Sequence, residues 1–371
     1  MEENELRQLN KRNGKIEFFR FIFCLIVAIF HGKTTMTDGK IRIMFSGRLG
    51  VEFFFLVSGY LMAASVNKIL ANREQINVGR ETEAFLLHKY CSLYPVVAIA
   101  FFMNLITSAW SLYTPLRETL IKMIQGIPSL FLLHNTGIGF YSINGTWYLS
   151  AMLISMAILF PLLLKFPSFM RRVGILGIGT LVLGFLMMNT KNLAGPANLI
   201  NGLVYKGNLR AFSEIALGAF AYEIAKELRE VPFRKSGKIV LAVLEFVLYA
   251  VAIMYMIFGK PGKMDFLIVM VLLCAVTISF SEAAWGSEIF NNRFCCFLGT
   301  SSLYIYLAHL SAAKDLTPIV GTGAGNKVRM LVFLALTCVL TAVLWALTIA
   351  CKHLGTVLKK ALIEERDPTA V

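Results

Sequence analysis

The stretch EFFRFIFCLIVAIFHGK, residues 17–33, is almost wholly apolar, yet it carries Glu17, Arg20 and His31. Its length suits a helix that crosses a bilayer, for which about 20 apolar residues suffice. A charged side chain in such a helix costs a few kcal/mol on insertion scales, so it faces a cavity or a partner. Arg20 and His31 are eleven positions apart, which at 100° per residue is three turns plus about 20°. They share one helix face and lie about 16.5 Å apart along the axis. Taken singly, Arg20 is accounted for by snorkelling or by pairing with Glu17 at i,i+3, and His31 by capping a span end. The shared face argues against coincidence.

The pattern of this stretch extends along the chain. Of 371 residues, 57% are hydrophobic and only 16% charged. Counting Gly in place of Tyr raises the apolar share to roughly 61%, against ~45–50% for soluble domains. That excess excludes an ordinary soluble enzyme and a disordered chain. Apolar runs fall at about 16–33, 45–66, 91–110, 147–164, 173–189, 209–225, 239–258, 264–283, 295–313 and 329–351. The expectation is an all-α polytopic membrane protein with about ten transmembrane helices. It divides into a cytoplasmic segment 1–15, a transmembrane unit 16–351 and a cytoplasmic tail 352–371.

A further apolar stretch, 119–134, is short and holds Lys122, Gln125, Gly126, Pro128 and His134. Lys and Arg concentrate in cytoplasmic loops. With ten spans and the N-terminus inside, 21 of the 36 Lys and Arg fall inside and 14 outside, Arg20 lying within a span. If 119–134 also crossed, the split would become 16 inside and 19 outside. Ten spans are favoured, both termini are cytoplasmic, and 119–134 is a re-entrant or surface piece. The formal charge of +14 resides in short clusters between apolar runs, which speaks for such loops and against nucleic-acid binding. The seven Cys form no CxxC pair and read as buried thiols, with neither metal nor disulfide. The first apolar run has no small-residue cleavage site after it and reads as a retained span.

Other spans repeat the polar insertions. GRLGVEFFFLVSGYLM, residues 47–62, brings Arg48, Glu52 and Ser58. Glu52 falls at about the depth of His31, where a carboxylate can hold one imidazole nitrogen and raise the basicity of the other. It is equally placed for an ion pair with Arg48 one turn away. Ser58 is a possible nucleophile without an adjacent base, or a helix–helix hydrogen bond. NGTWYLSAM, residues 144–152, brings Asn144 and Trp147, and NLRAFSEIALG, residues 208–218, brings Arg210 and Glu214 at a spacing that suits an intrahelical salt bridge. LGTSSLYIYLAHL, residues 298–310, delivers His309 near its outer end. Together these groups suggest a polar cavity at the outer ends of four spans. Glu245, Asp265 and Glu282 lie close to span ends and read as interfacial.

At these residues the chain resembles the membrane-bound acyltransferase-3 family, whose members acylate sugars and cell-surface polymers. Arg20 and His31 match the family's Arg, ten residues, His signature. Gly50, Val51, Glu52, Phe54, Phe55, Ser58, Gly59, Tyr60 and Leu61 match its Ser-Gly stretch. Trp147, Leu149 and Pro161 resemble its Trp-x-Leu segment, and Gly299, Ser302, Tyr306, Leu307 and His309 its late Tyr-Leu-x-His element. HKYCSLYP, residues 88–95, keeps Lys89 and Pro95 but has Ser92 where a second Arg is usual, and Met152 and Leu153 stand where some members have a Glu-Glu pair. The chain reads as the compact branch without an extracytoplasmic hydrolase-like domain.

The resemblance implies a bacterial plasma-membrane enzyme that takes an acyl group, most often acetyl, from cytosolic acyl-coenzyme A without a metal. The acceptor is a sugar or polysaccharide hydroxyl on the outer side. Arg20, with Lys89, is expected at the coenzyme. His31 is the expected general base, and Glu52 orients it. Arg48, Ser58, Trp147, Arg210, Glu214 and His309 are candidates for the acceptor site or for stabilising the oxyanion. A multi-pass transporter or carrier of a sugar or lipid-linked substrate, without acyl chemistry, is the alternative. Inverted repeats and broken helices in matching halves would favour it, and neither is seen in the sequence.

Overall fold

The computed structural model describes residues 12–36, 43–72, 75–111, 113–138, 145–314 and 316–366. In chain order the longer helices are α1 (Gly14–Gly32), α2 (Gly50–Asn72), α3 (Val78–Ser111), α4 (Leu116–Gln125), α5 (Trp147–Lys165), α6 (Ile175–Asn189), α7 (Lys206–Glu230), α8 (Lys235–Phe258), α9 (Met264–Ser281), α10 (Arg293–Ala312) and α11 (Asn326–Arg366). A two-stranded hairpin, β1 (Leu199–Ile200) and β2 (Val204–Tyr205), pairs Leu199 with Tyr205 ahead of α7.

All ten expected spans are helical, but they are not equally apolar. Seven helices among the described residues are long and apolar enough to cross a membrane: α2 with its preceding turn, α3, α5, α8, α9, α10 and α11. The other three fall short for visible reasons. α1 holds Lys15, Glu17 and Arg20, α6 has 15 residues, and α7 carries Lys206, Arg210 and Glu214. These are also helices that other helices cover, α1 lying against α10 and α7 against α2, α5, α6 and α9. In contrast, only 22% of the apolar stretch of α8, and of that of α11, is buried within the bundle. α11 continues as helix to Arg366, so the expected tail begins inside the last helix.

The 119–134 stretch does not form one helix. α4 ends at Gly126, a short turn spans Ile127–Leu130, and a further turn spans His134–Thr136. α4 is ten residues long, about 15 Å, half a hydrocarbon core. Met123 and Leu130 pack on Phe101 and Leu105 of α3.

Local chemistry sets the start of α1. The Asn13 side chain caps it by accepting from the Ile16 amide at 3.1 Å, and Asn291 accepts from the Gly14 amide at 2.9 Å. α1 then runs alongside α10 in parallel. Gly299 packs on Glu17, the Cys24 thiol donates to the Ser302 carbonyl, and His31 faces His309. α2 and α7 meet more closely still. A Cβ on Gly59 would overlap the Ile215 backbone, and one on Gly218 the Leu56 backbone. Two glycines at reciprocal positions let the two backbones touch, as small residues do between membrane helices.

Two residues expected at the interface are instead buried. Glu245 accepts from Lys15 at 2.6 Å and from Ser279 at 2.5 Å. Asp265 accepts from Arg48 at 2.5 Å, from the Leu193 amide and from Tyr255, both at 2.9 Å. A carboxylate near a helix end is retained in the interior when a cation from another helix reaches it.

Gly218→Val should drive α2 and α7 apart and lower stability by about 1–3 kcal/mol or more, the usual cost of overpacking. Gly184→Ala, where a Cβ meets open space, should leave the thermal midpoint of the detergent-purified protein unchanged.

Candidate functional site

The candidate residues fall into three places. The first is a cavity of about 150 Å³ between α1, α2, α3, α5 and α10. Its walls include Arg20, Lys89, Ser58, Tyr148, Ser302 and Tyr306. Arg20 and Lys89, separated by 69 positions in the chain, are thus brought to one space. Arg20 reaches Glu17 at 3.3 Å and keeps its Nε unpartnered, so the guanidinium retains donors for a guest. Ser58 lies 3.4 Å from the Tyr148 hydroxyl and 3.5 Å from the Met152 sulfur, contacts that suit a cavity wall better than an activated nucleophile.

This cavity adjoins a larger one of about 440 Å³, with Arg20 and Leu61 common to both. The larger space is lined by Arg12, Arg229, Glu17, Glu282 and Tyr60 among others. Arg229 donates to the Phe280 and Ser281 carbonyls, which fixes it at the rim. Arg12 and Arg229 were not singled out from the sequence because charges flanking a span read as loop charges; only the folded helices bring them to Arg20. The result is a wide, three-arginine mouth that narrows at Arg20 into a slender pocket.

The second place is the His31 end of α1. His31 and His309 face one another with ring centroids 5.3 Å apart. His309 is 1% exposed, its Nδ1 lies 3.3 Å from the Ile305 carbonyl oxygen, and its Nε2 has no partner. Tyr306 connects the two places. It lines the narrow cavity, its ring centre is 5.6 Å from that of His309, and its hydroxyl donates to the Gly145 carbonyl at 2.8 Å. Tyr148 and Tyr306 stand side by side in the wall of that cavity, their ring centres 5.6 Å apart.

The third place is a buried charge cluster. Arg210 donates to Glu52, both essentially without exposure, so the pair joins α7 to α2. The expected hydrogen bond from a His31 ring N–H to Glu52 is not formed among the described residues. The reason is depth. A Cβ on Gly50 would press on the Phe23 carbonyl and on Val27, so α2 begins a turn or more below His31, and Glu52 lies deeper still. The expected Arg210–Glu214 salt bridge is likewise replaced by the interhelical pair, and Glu214 lies beside Glu52 with both oxygens unpartnered. Arg48 is not paired with Glu52 but held by Asp265. Trp147 lies over the Arg210 guanidinium at 5.2 Å, half-buried at the start of α5. The adjoining turn at Asn135 is fastened to α5 and α7 through Ser150, Trp147 and Asn208. Asn144 lies outside the described residues.

This arrangement provides a space with three arginines, a smaller adjoining cavity, and an imidazole pair next to Tyr306 of that cavity's wall. No group of three or more metal-ligating side chains occurs among the described residues.

Removing Arg210 leaves Glu52 buried without its salt-bridge partner. Arg210→Met should therefore cost about 3–5 kcal/mol, and Arg210→Met with Glu52→Leu clearly less. A double-mutant cycle on thermal unfolding measures the difference.

Comparison with known proteins agrees with these features. Residues 13–349 match the family described as an acyltransferase domain. The chain is similar to the peptidoglycan O-acetyltransferase OatA of Listeria monocytogenes serovar 1/2a (strain ATCC BAA-679 / EGD-e), with 24% identity over 358 residues. That match covers 89% of this chain and 54% of the relative, so the chain spans about half the length of the curated relative it matches. No solved structure matches.

Proposed function

The chain belongs to the membrane acyltransferase-3 family, and from that premise we propose that it moves an acetyl group from cytosolic acetyl-coenzyme A to a sugar hydroxyl on the outer side. The acceptor class is carried over from the peptidoglycan named for the relative. In this reading the protein is a bacterial plasma-membrane enzyme with ten crossings and both termini in the cytosol. Residues 16–351 form its transmembrane unit, flanked by cytoplasmic segments 1–15 and 352–371.

The observation that carries the reading is the pair of adjoining cavities. Coenzyme A has a bulky, multiply charged nucleotide end and a thin pantetheine arm. The wide mouth offers Arg12, Arg20 and Arg229, and the narrow pocket beyond it is lined by Ser58, Lys89, Ser302 and two tyrosines. Arg suits phosphate because its planar fork makes bidentate contacts. The axial distance from Arg20 to His31, about 16.5 Å on a straight helix, is on the scale of that arm. α1 is helical from Gly14 to Gly32, so the phase holds.

The chemistry follows. The acceptor hydroxyl attacks the thioester carbonyl carbon while His31 takes the hydroxyl proton as general base. The new C–O bond forms, the C–S bond breaks, and the departing sulfur receives the proton from His31. Tyr148 and Tyr306 must part for the thioester to pass. Trp147, supported from below by Arg210, offers an aromatic face to the acceptor sugar. Arg210 with Glu52 and Arg48 with Asp265 hold the helices that frame this route, a role supported by those two ion pairs. A transporter would need no imidazole pair at the end of a nucleotide-sized mouth.

Purified protein with radiolabelled acetyl-coenzyme A tests the proposal. Arg20→Ala should weaken donor binding about tenfold or more, the loss of a charge-assisted hydrogen bond, while turnover at saturation stays near that of the wild type. His31→Ala should keep donor affinity and lose about 10²–10⁴ in turnover. Sugar flux without acetyl transfer or donor hydrolysis would support the carrier reading instead.

A further inference from the structure

His309 sits fully buried on α10, one turn beyond Ile305, with Nδ1 at 3.3 Å from the Ile305 carbonyl oxygen. A carbonyl oxygen only accepts, so Nδ1 carries the proton of a neutral ring and Nε2 presents a lone pair. That lone pair has no partner. Leaving a buried acceptor unsatisfied is costly, so the position calls for a donor. The Tyr306 hydroxyl is committed to the Gly145 carbonyl, and Arg329 to the Gly321 and Ala324 carbonyls. The ring that faces His309 is His31, 5.3 Å between centroids. Glu52, which would otherwise orient a catalytic imidazole, is engaged by Arg210 at a deeper level.

We propose that His309 is the positioning residue for His31: a small rotation of the two rings lets a His31 ring N–H donate to His309 Nε2. The opposite His31 nitrogen is then the bare one, directed at the acceptor hydroxyl. The backbone carbonyl of Ile305 thus sets the tautomer of His309, and His309 sets that of His31. A hydrogen bond to one ring nitrogen of a histidine fixes which nitrogen is free to act. A neutral acceptor does so without adding a charge beside the reacting thioester. The inference rests on the reading of His31 as general base, and it assigns to a histidine the part expected of Glu52.

Three readouts test it on the detergent-purified full chain. In His309→Leu, turnover should fall about 100-fold with the donor KM nearly unchanged, as expected when proton transfer is impaired. In His309→Gln, whose side-chain oxygen can accept the same N–H, a large part of that loss should be recovered. Nitrogen-15 spectra of histidine-labelled protein should show His31 in one tautomer in the wild type and in His309→Gln, and in a mixture in His309→Leu. A His309→Leu protein with near-normal turnover overturns the proposal. So does an equal loss in the Leu and Gln variants with the His31 tautomer unchanged in both. If the wild type shows no acetyl transfer but His31 loses its single tautomer in His309→Leu, the pairing stands and the acyltransferase reading fails. If His31→Ala abolishes transfer while His309→Leu is normal, this inference alone fails.

Discussion

The buried Arg210–Glu52 pair is the constraint on which the rest of the bundle depends. About one to two turns further along both helices, α2 and α7 bring their backbones into contact at Gly59 and Gly218. A guanidinium and a carboxylate removed from water must satisfy one another, because each alone costs several kcal/mol. The crossing is therefore fixed in register as well as in distance. α5 rests on the same pair through Trp147, and the turn at Asn135 is fastened to that helix. Arg48–Asp265 and Lys15–Glu245 repeat the device at α9 and α8. Polar groups in the interior bind helices together, while apolar side chains meet lipid at the edges.

The same frame explains why the candidate site is divided. α1 and α10 run parallel and carry the candidate groups at successive heights, Glu17 with Arg20 at one end and His31 with His309 at the other. α2 and α5 begin below the histidines and wall the space beneath. Their tyrosine neighbours close that space. In the proposed reaction, tyrosines standing between the narrow cavity and the imidazoles would keep a thioester from water until the acceptor arrives, as lids do in enzymes.

Much of this was legible in the sequence. The shared face of Arg20 and His31 follows from a helical period, and α1 keeps that period without a break. The ten apolar runs correspond to ten helices, and 119–134 carries a Gly and a Pro that divide it. What sequence did not disclose were the partners. Glu52 was expected at the height of His31, but the depth at which α2 begins depends on Gly50 packing on α1. Arg210 and Glu214 have intrahelical spacing, yet the guanidinium turns to the neighbouring helix and pairs with Glu52. Arg48, Asp265, Lys15 and Glu245 are ordinary charges at span ends until tilt and offset bring them together. Periodicity determines faces; pairing depends on the relative position of helices, which no local pattern encodes.

The most direct test of the account is sidedness. Radiolabelled acetyl-coenzyme A is trapped inside sealed proteoliposomes holding the purified protein, and a sugar acceptor is added outside. The account predicts label on the external sugar in the wild type and none with His31→Ala. Label confined to the vesicle interior, with the protein active once the vesicles are opened, would contradict transfer through the bundle.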